Sequence, residues 1–262
     1  MIDIHNHVLP AVDDGAESMD MSLEMLRRGQ AEGIEAAVLT PHLLPEDSSE
    51  KDALHRRRFT ELEEAAYNAG LKMRLYLGAE IRFRLDMASV AQWMSSTIGD
   101  TNYVLLDLPF GSGPLPLGLE TCLFELRTAG YRPILAHPER HPRLIGDMNQ
   151  LSRLRQQEVT LQLNGGSLLG HFGRRAKQGA EMLLERGWVE CIASDGHNLS
   201  KRPFTLRQVR DNVSQEFGAV EAARLLVENP TRVIQGEAIV RRQTRKANPR
   251  HGLFKRLLSA WS

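Results

Sequence analysis

The amino-acid sequence predicts an α/β protein, an irregular barrel of seven parallel strands with helices on its outside. Seven short apolar runs rich in β-branched residues recur along the chain, each followed by a turn and a stretch of helical periodicity. The runs lie roughly 30 residues apart, the length of a βα unit. The glycines at residues 111–113 open no helix and form no dinucleotide fingerprint. A closed barrel is therefore favoured over an open, doubly wound sheet.

The expected strands are residues 2–4, 34–39, 71–77, 103–108, 132–136, 159–163 and 189–193. Between the first two, residues 19–32 place Met21, Met25 and Leu26 on one side of a helix that Ser18 caps and Gly33 ends. The same apolar recurrence predicts helices over residues 51–68 and 176–185. Strands that alternate with helices in this way form a parallel sheet with helices outside it.

The composition, with 42% hydrophobic and 25% charged residues among 262, is that of an ordinary globular protein. We assign residues 1–237 to one domain and residues 238–262 to a C-terminal tail. The first ten residues, MIDIHNHVLP, do not form a secretion signal, and no stretch is long and apolar enough to span a bilayer, so we expect a cytoplasmic protein. The two cysteines, Cys122 and Cys191, form no CxxC pair, which excludes a thiolate zinc site.

The net charge of zero conceals an asymmetry between body and tail. Seven of the 33 basic residues and no acidic residue lie in the tail, so the body has 26 basic against 33 acidic residues. Nucleic-acid binding requires a positive surface, and we therefore expect no nucleic-acid partner.

A polar side chain follows every expected strand. In a parallel barrel the carboxyl ends of the strands converge on one face, where barrel active sites lie. Two residues apart on a strand, His5 and His7 point the same way and can bind one ion. The full series is His5 and His7, His42, Glu80, Asp107, His137, Asn164, and Asp195 with His197.

Taken singly, a histidine or aspartate at a strand end is most often a loop residue or a cap. The joint occurrence of all of them on one rim would need several coincidences and favours a cluster of two or three metal ions. Imidazole and carboxylate without thiolate suit catalytic manganese, iron or zinc.

Five segments carry a resemblance to a known family: MIDIHNHVLPAVDDG at residues 1–15, LTPH at 39–42, GAEI at 78–81, LAHPER at 135–140 and ASDGHNLSKRP at 193–203. From residue 1 to about 235, the sequence resembles the PHP (polymerase and histidinol phosphatase) superfamily. Within it, the sequence is similar to the bacterial manganese-dependent protein-tyrosine phosphatases of capsule and exopolysaccharide clusters.

The resemblance implies three metal positions with Mn²⁺ as the expected ion and iron or zinc as alternatives. The first would be held by His5, His7, Glu80 and Asp195, the second by Glu80, Asp107 and His137, and the third by Asp14, His42 and His197. The family has a longer Glu where this chain has Asp107. Arg140 and Arg202 would bind phosphate oxygens. Asp14 and His42 are counted among the catalytic residues, His42 as proton donor to the leaving oxygen if it binds no metal.

The resemblance further implies hydrolysis of phosphotyrosine on proteins, with a membrane tyrosine autokinase of capsule or exopolysaccharide synthesis as partner. A phosphatase of the histidinol-phosphate type or a nuclease-like phosphodiesterase would use the same cluster, and metal ligands do not distinguish them. A cysteine-based tyrosine phosphatase is excluded. That class needs Arg six positions after the nucleophile, where Cys122 and Cys191 are followed by Thr128 and His197.

The tail places apolar residues at helical spacing over residues 252–261, beside Lys255 and Arg256. Such a segment can lie on an anionic membrane at the inner face of the cell. Packing on the acidic body and a disordered basic tail are equally open alternatives. The remaining histidines, His55, His141, His171 and His251, are expected at the surface.

Overall fold

The computed structural model of the chain describes residues 1–44, 46–93, 96–109 and 115–242. The strands are β1 (Ile2–Asn6), β2 (Ala36–Leu39), β3 (His42–Leu43), β4 (Arg74–Leu77), β5 (Glu80–Arg82), β6 (Tyr103–Asp107), β7 (Arg132–Ala136), β8 (Thr160–Asn164) and β9 (Cys191–Ala193).

The helices alternate with these strands over most of the chain. They are α1 (Met19–Ala31), α2 (Ser49–Asn68), α3 (Met87–Val90), α4 (Leu119–Thr128), α5 (Pro142–Gly146), α6 (Met148–Gln156), α7 (Gly165–Leu168), α8 (Gly173–Glu185), α9 (Arg207–Phe217), α10 (Ala219–Ala223) and α11 (Asn229–Ile234). A 3₁₀ turn, Pro138–Arg140, precedes α5, and a π-helical turn, Arg224–Glu228, joins α10 to α11.

The strands form two sheets in which every pair is parallel. One has the order β1-β2-β4 and the other β3-β5-β6-β7-β8-β9. β1 approaches β9 through an isolated bridge between Asn6 and Gly196, and the His7 amide donates to the Gly196 carbonyl at 2.8 Å. The predicted α/β fold with parallel strands is confirmed. The prediction of one closed barrel of seven strands is not confirmed, because the ladders of the described residues form two sheets.

The difference in strand number arises from two short strands, β3 and β5, which follow the second and third expected strands and were not predicted. β2 and β3 are separated at Pro41, which has no N–H to donate to a ladder. The partner strand breaks at the same level, after Leu77. The Gly78 amide donates to the Leu39 carbonyl and the Glu80 amide to the Pro41 carbonyl, so the two segments stay in contact across the break. β3 and β5 then pair with His42 opposite Glu80, which brings two predicted site residues together.

Alternate side chains of the strands enter two separate apolar clusters, as the period of two in a strand requires. Ala37, Leu106 and Ile192 belong to the larger cluster, which includes Met25 and Leu26 of α1. Their strand neighbours Ala36, Leu105 and Cys191 lie in a smaller cluster that Val233 of α11 joins. Both faces of the sheets are therefore buried, which fixes the strand register and with it the position of the strand ends.

The first helix shows the local signals that the sequence predicts. The Ser18 hydroxyl accepts from the Met21 amide, and Met25 and Leu26 are buried. After the helix, Gly33 has φ +93°, a left-handed conformation that a side chain would disfavour. This turn returns the chain to the start of β2.

The first residues of the expected tail lie against the body. The Val240 amide donates to Asn229 and its carbonyl accepts from Arg224. The guanidinium of Arg241 donates to the carbonyls of Arg155 and Val159. Residues 243–262, including the expected amphipathic helix, lie outside the described residues. Among the described helices, none combines the length and apolarity needed to cross a lipid bilayer.

Two of the histidines expected at the surface are instead buried. His55 on α2 is 0% exposed and His141 is 3% exposed. His171 is exposed, as expected, and His251 lies outside the described residues. The surface expectation for His55 and His141 was wrong because tertiary packing, which sequence pattern does not report, covers both side chains.

Candidate metal centre

Glu80, the first residue of β5, is surrounded by histidines at the carboxyl ends of the strands. Its Oε1 lies 2.9 Å from His137 Nε2 and 3.4 Å from His5 Nε2. Its Oε2 lies 2.8 Å from His42 Nδ1 and 3.4 Å from His7 Nε2. His5 and His42 belong to β1 and β3, and His7 and His137 closely follow β1 and β7. Four imidazoles from three strands therefore converge on this buried carboxylate. A carboxylate in this position could be a ligand to more than one metal ion.

Asp195 faces the same two histidines of the first segment. Its Oδ1 lies 3.6 Å from His5 Nε2 and 3.5 Å from His7 Nε2. The backbone at Asp195 has φ +52°, and that at His137 has φ +33°. Left-handed backbone at non-glycine residues is uncommon, and it clusters at functional sites where the surroundings hold it. Here it occurs at the residue that follows β7 and two residues after β9, where both side chains enter the cluster.

The distances in this part of the cluster fit divalent ions. Two ligands that each lie about 2.1 Å from one ion in tetrahedral geometry are about 3.4 Å apart, close to the separations of His5 and His7 from the carboxylates. His5 Nε2 and His7 Nε2 are buried and have no hydrogen-bond partner among the described residues. Buried polar atoms normally have a hydrogen-bond partner, so these two nitrogens are free to bind a metal ion.

A second group of possible ligands lies on the other side of His7. His42 Nε2 and His197 Nε2 lie 3.3 Å and 3.4 Å from Asp14 Oδ1. One atom each of His7, Asp14, His42 and His197 falls within 4.8 Å of the others. The structure thus brings together the residues that the sequence analysis assigned to the third metal position.

A third group consists of Asp107, His137 and His141, all buried, again with one atom each within 4.8 Å of the others. Asp107 Oδ1 lies 3.9 Å from His137 Nε2, and its Oδ2 lies 2.5 Å from Arg82 Nε. Asp107 and His137 were expected here together with Glu80. His141 and Arg82 were not.

Two residues that were not expected at the site, Asp13 and Gln162, hold the histidines in place. Asp13 Oδ2 accepts from His7 Nδ1 at 2.7 Å and from the His42 amide at 3.0 Å. Gln162 Oε1 lies 2.8 Å from His5 Nδ1. Partners of this kind fix the tautomer of a metal-binding histidine, so that the opposite nitrogen is available to the ion. Asp13 lies in the VDDG motif, and Gln162 lies on the same face of its strand as Asn164, because side chains alternate along a strand. No feature of the sequence favoured either residue over its neighbours.

The electrostatics of the cluster favour binding of cations. Burial alone would raise the pKa of Glu80, but His5 and the hydrogen bonds of His137 and His42 outweigh it and hold that pKa well below its usual range. Burial would lower the pKa of His42, yet its contacts with Asp14 and Glu80 raise it to about 9. The carboxylate is thus charged at neutral pH, and binding of an ion to His42 would release a proton.

Arg140 and Arg202 reach the cluster from two different loops. Their guanidinium groups donate to Asp195 Oδ2 at 3.0 Å and 2.7 Å, and the side-chain amide of Asn164 donates to the same oxygen at 2.6 Å. Both guanidinium groups also lie over the Phe172 ring, at 4.2 Å and 5.8 Å from its centre. The two side chains are 17% and 26% exposed, so solvent reaches them beside the buried ligands. Asn164, to which the sequence analysis gave no role, orients Asp195.

A family model described as capsular polysaccharide synthesis, CpsB/CapC, matches residues 1–235. The tyrosine-protein phosphatase YwqE of Bacillus subtilis is 31% identical over 242 residues, which cover 92% of this chain and 94% of the relative. The tyrosine-protein phosphatase CpsB of Streptococcus pneumoniae is 29% identical, over 91% of this chain and 100% of the relative.

Solved structures give the same picture. One structure, from work on YwqE and CpsB as unique metal-dependent tyrosine phosphatases, has a TM-score of 0.84 and 30% identity, and covers 94% of this chain and 100% of its own. A variant of the organophosphorus hydrolase from Deinococcus radiodurans reaches a TM-score of 0.55 at 13% identity, over 89% of this chain and 92% of its own. This second likeness concerns the fold alone.

Proposed function

The chain belongs to the CpsB/CapC family of capsular polysaccharide synthesis, and we propose that it hydrolyses phosphotyrosine on proteins with the help of divalent metal ions. The observation that carries the proposal is the convergence of buried histidines and carboxylates on Glu80, with two arginines at the edge of the same cluster. The homologous tyrosine phosphatases match nearly the whole chain, which supports the substrate class.

The ligands proposed for the metal ions are those that the structure brings together. His5, His7, Glu80 and Asp195 would hold the first ion, and Asp14, His42 and His197 the third. Glu80, Asp107 and His137 would hold the second. We propose Mn²⁺ as the ion, with iron or zinc as alternatives, because histidine and carboxylate ligands accept all three.

Hydrolysis of a phosphate monoester is slow because its dianion repels an incoming nucleophile. When bound, the ions supply a nucleophile at neutral pH and neutralise the phosphoryl charge. Arg140 and Arg202, whose planar groups suit phosphate oxygens, bind and orient the phosphoryl group beside the ligands. Phe172 keeps the two guanidinium groups in place by stacking. A tyrosyl oxygen, with a phenol pKa near 10, needs less protonation on leaving than an alkoxide does. His42, whose Nε2 lies 3.3 Å from Asp14, can donate a proton to the leaving oxygen if it binds no ion.

Parallel assays of three substrates test the substrate class. With Mn²⁺ present, we expect the purified protein to hydrolyse a phosphotyrosyl peptide far faster than histidinol phosphate or single-stranded DNA. Rates are measured as phosphate release and as strand cleavage. Preference for histidinol phosphate or for DNA would assign the protein to another branch of metal-dependent phosphoesterases.

We further propose that the substrate protein is a membrane tyrosine autokinase. We also propose that the basic tail binds weakly to the inner membrane surface. Lys and Arg near an anionic surface contribute about 1 kcal/mol each. Because residues 238–242 pack on the body, the truncation that tests this contact should remove residues 243–262 only. We expect the truncated chain to keep its peptide hydrolysis and to co-sediment less with phosphatidylserine vesicles. Equal sedimentation of both chains would contradict the membrane contact.

A further inference from the structure

His141 lies beside two of the proposed ligands and has no role in the proposed mechanism. We propose that His141 is itself a metal ligand, and that it completes the second position together with Asp107 and His137. The inference rests on the proposed metal-dependent function, and it adds a residue that the sequence pattern did not indicate.

The local backbone brings His141 next to His137. The Arg140 amide donates to the His137 carbonyl and the His141 amide to the Pro138 carbonyl, so the chain turns tightly between the two histidines. Their rings lie 6.0 Å apart at an angle of 25°. One atom each of Asp107, His137 and His141 lies within 4.8 Å of the others, and all three residues are buried. This spacing suits three ligands of one ion.

Asp107 alone supplies little to this position. One carboxylate oxygen is paired with Arg82, and the other lies 3.9 Å from His137 Nε2. The aspartate is also one methylene shorter than glutamate, so it extends less far toward Glu80 across the site. An imidazole from the turn after β7 supplies a further nitrogen without adding charge.

Glu139, the buried acidic residue of this turn, faces elsewhere. Glu139 Oε1 accepts from the Asn164 amide and from the Ser167 hydroxyl, at 3.1 Å and 2.7 Å. Glu139 therefore anchors the turn to β8 and α7. His141 is the side chain that the turn directs toward Asp107 and His137.

Metal content provides a test that does not depend on catalysis. We expect His141→Phe, which keeps a ring but cannot bind metal, to retain about one Mn²⁺ per chain fewer than the parent protein after dialysis, by elemental analysis. His137→Phe should lose the same ion, and His171→Phe, a change of an exposed histidine, should lose none. A His141→Phe protein with the parent metal content would overturn the proposal.

A second variant covers the case in which His141→Phe does not fold. His141→Cys places a soft thiolate at the position, and cadmium bound there should give a thiolate-to-metal charge-transfer absorption in the ultraviolet. The parent protein, whose Cys122 and Cys191 are buried, is the control and should give none. Absence of the band in folded His141→Cys protein would overturn the ligand role. Either result is independent of phosphotyrosine turnover, so failure of this proposal and failure of the proposed function can be told apart.

Discussion

Glu80→Gln should remove bound metal and turnover together, with the largest loss of any single substitution in the cluster. Glu80 is buried among four histidines, and each of its oxygens contacts the ring nitrogen of a proposed ligand. Glutamine keeps the shape of the side chain but removes the charge that offsets the cations. Loss of a hydrogen-bond partner of a ligand typically costs 10–100-fold in metal affinity or activity, and we expect the loss of this shared ligand to exceed about 100-fold.

Elemental analysis and the rate on a phosphotyrosyl peptide should be measured on the same Glu80→Gln sample. Glu216→Gln, which changes an exposed glutamate of α9, is the matched control and should behave as the parent. A Glu80→Gln protein that binds metal normally and turns over at the parent rate would show that the carboxylate is only a structural hydrogen-bond acceptor.

Arg140→Ala and Arg202→Ala should fail in a different way, with metal retained and catalytic efficiency reduced. Each guanidinium is partly exposed beside the ligands and donates to Asp195, where it can also reach a phosphate oxygen. Removal of one preorganised charge contact of this kind costs roughly 10²-fold in rate. The loss should appear in kcat/KM on the peptide, and the metal content should equal that of the parent.

The controls separate this role from simple ion pairing. Arg210→Ala removes an exposed arginine paired with Asp211 and should leave kinetics unchanged. Normal kinetics in both Arg140→Ala and Arg202→Ala would mean that these residues are surface ion pairs. Loss of metal in either variant would mean that the guanidinium acts by positioning Asp195.

The sequence predicts the fold well where a strand has a clear apolar run and a clear end. Because the carboxyl ends of parallel strands meet at one edge, His5, Glu80 and Asp195 could be placed together from the sequence alone. The short strands β3 and β5 could not be predicted, because each is only two or three residues long and forms by pairing with its neighbours beyond the expected apolar runs.

Burial of the remaining histidines also lay beyond the sequence pattern. His141 follows a motif of the site but is placed by the turn after β7, and His55 is covered by packing of α2. Likewise, Asp13 and Asp14 are adjacent identical residues. The family resemblance assigned Asp14 to a position with His42 and His197, and only the structure shows that Asp13 bonds His7.

The most direct test of the account is the rate of phosphotyrosyl peptide hydrolysis by the full chain after removal of metal, verified by elemental analysis. We expect no turnover in the metal-free protein, recovery on addition of Mn²⁺, and no effect of thiol alkylation on the recovered rate, because the two cysteines are buried and are not among the proposed ligands. Full turnover by protein verified to contain no metal would contradict the central claim.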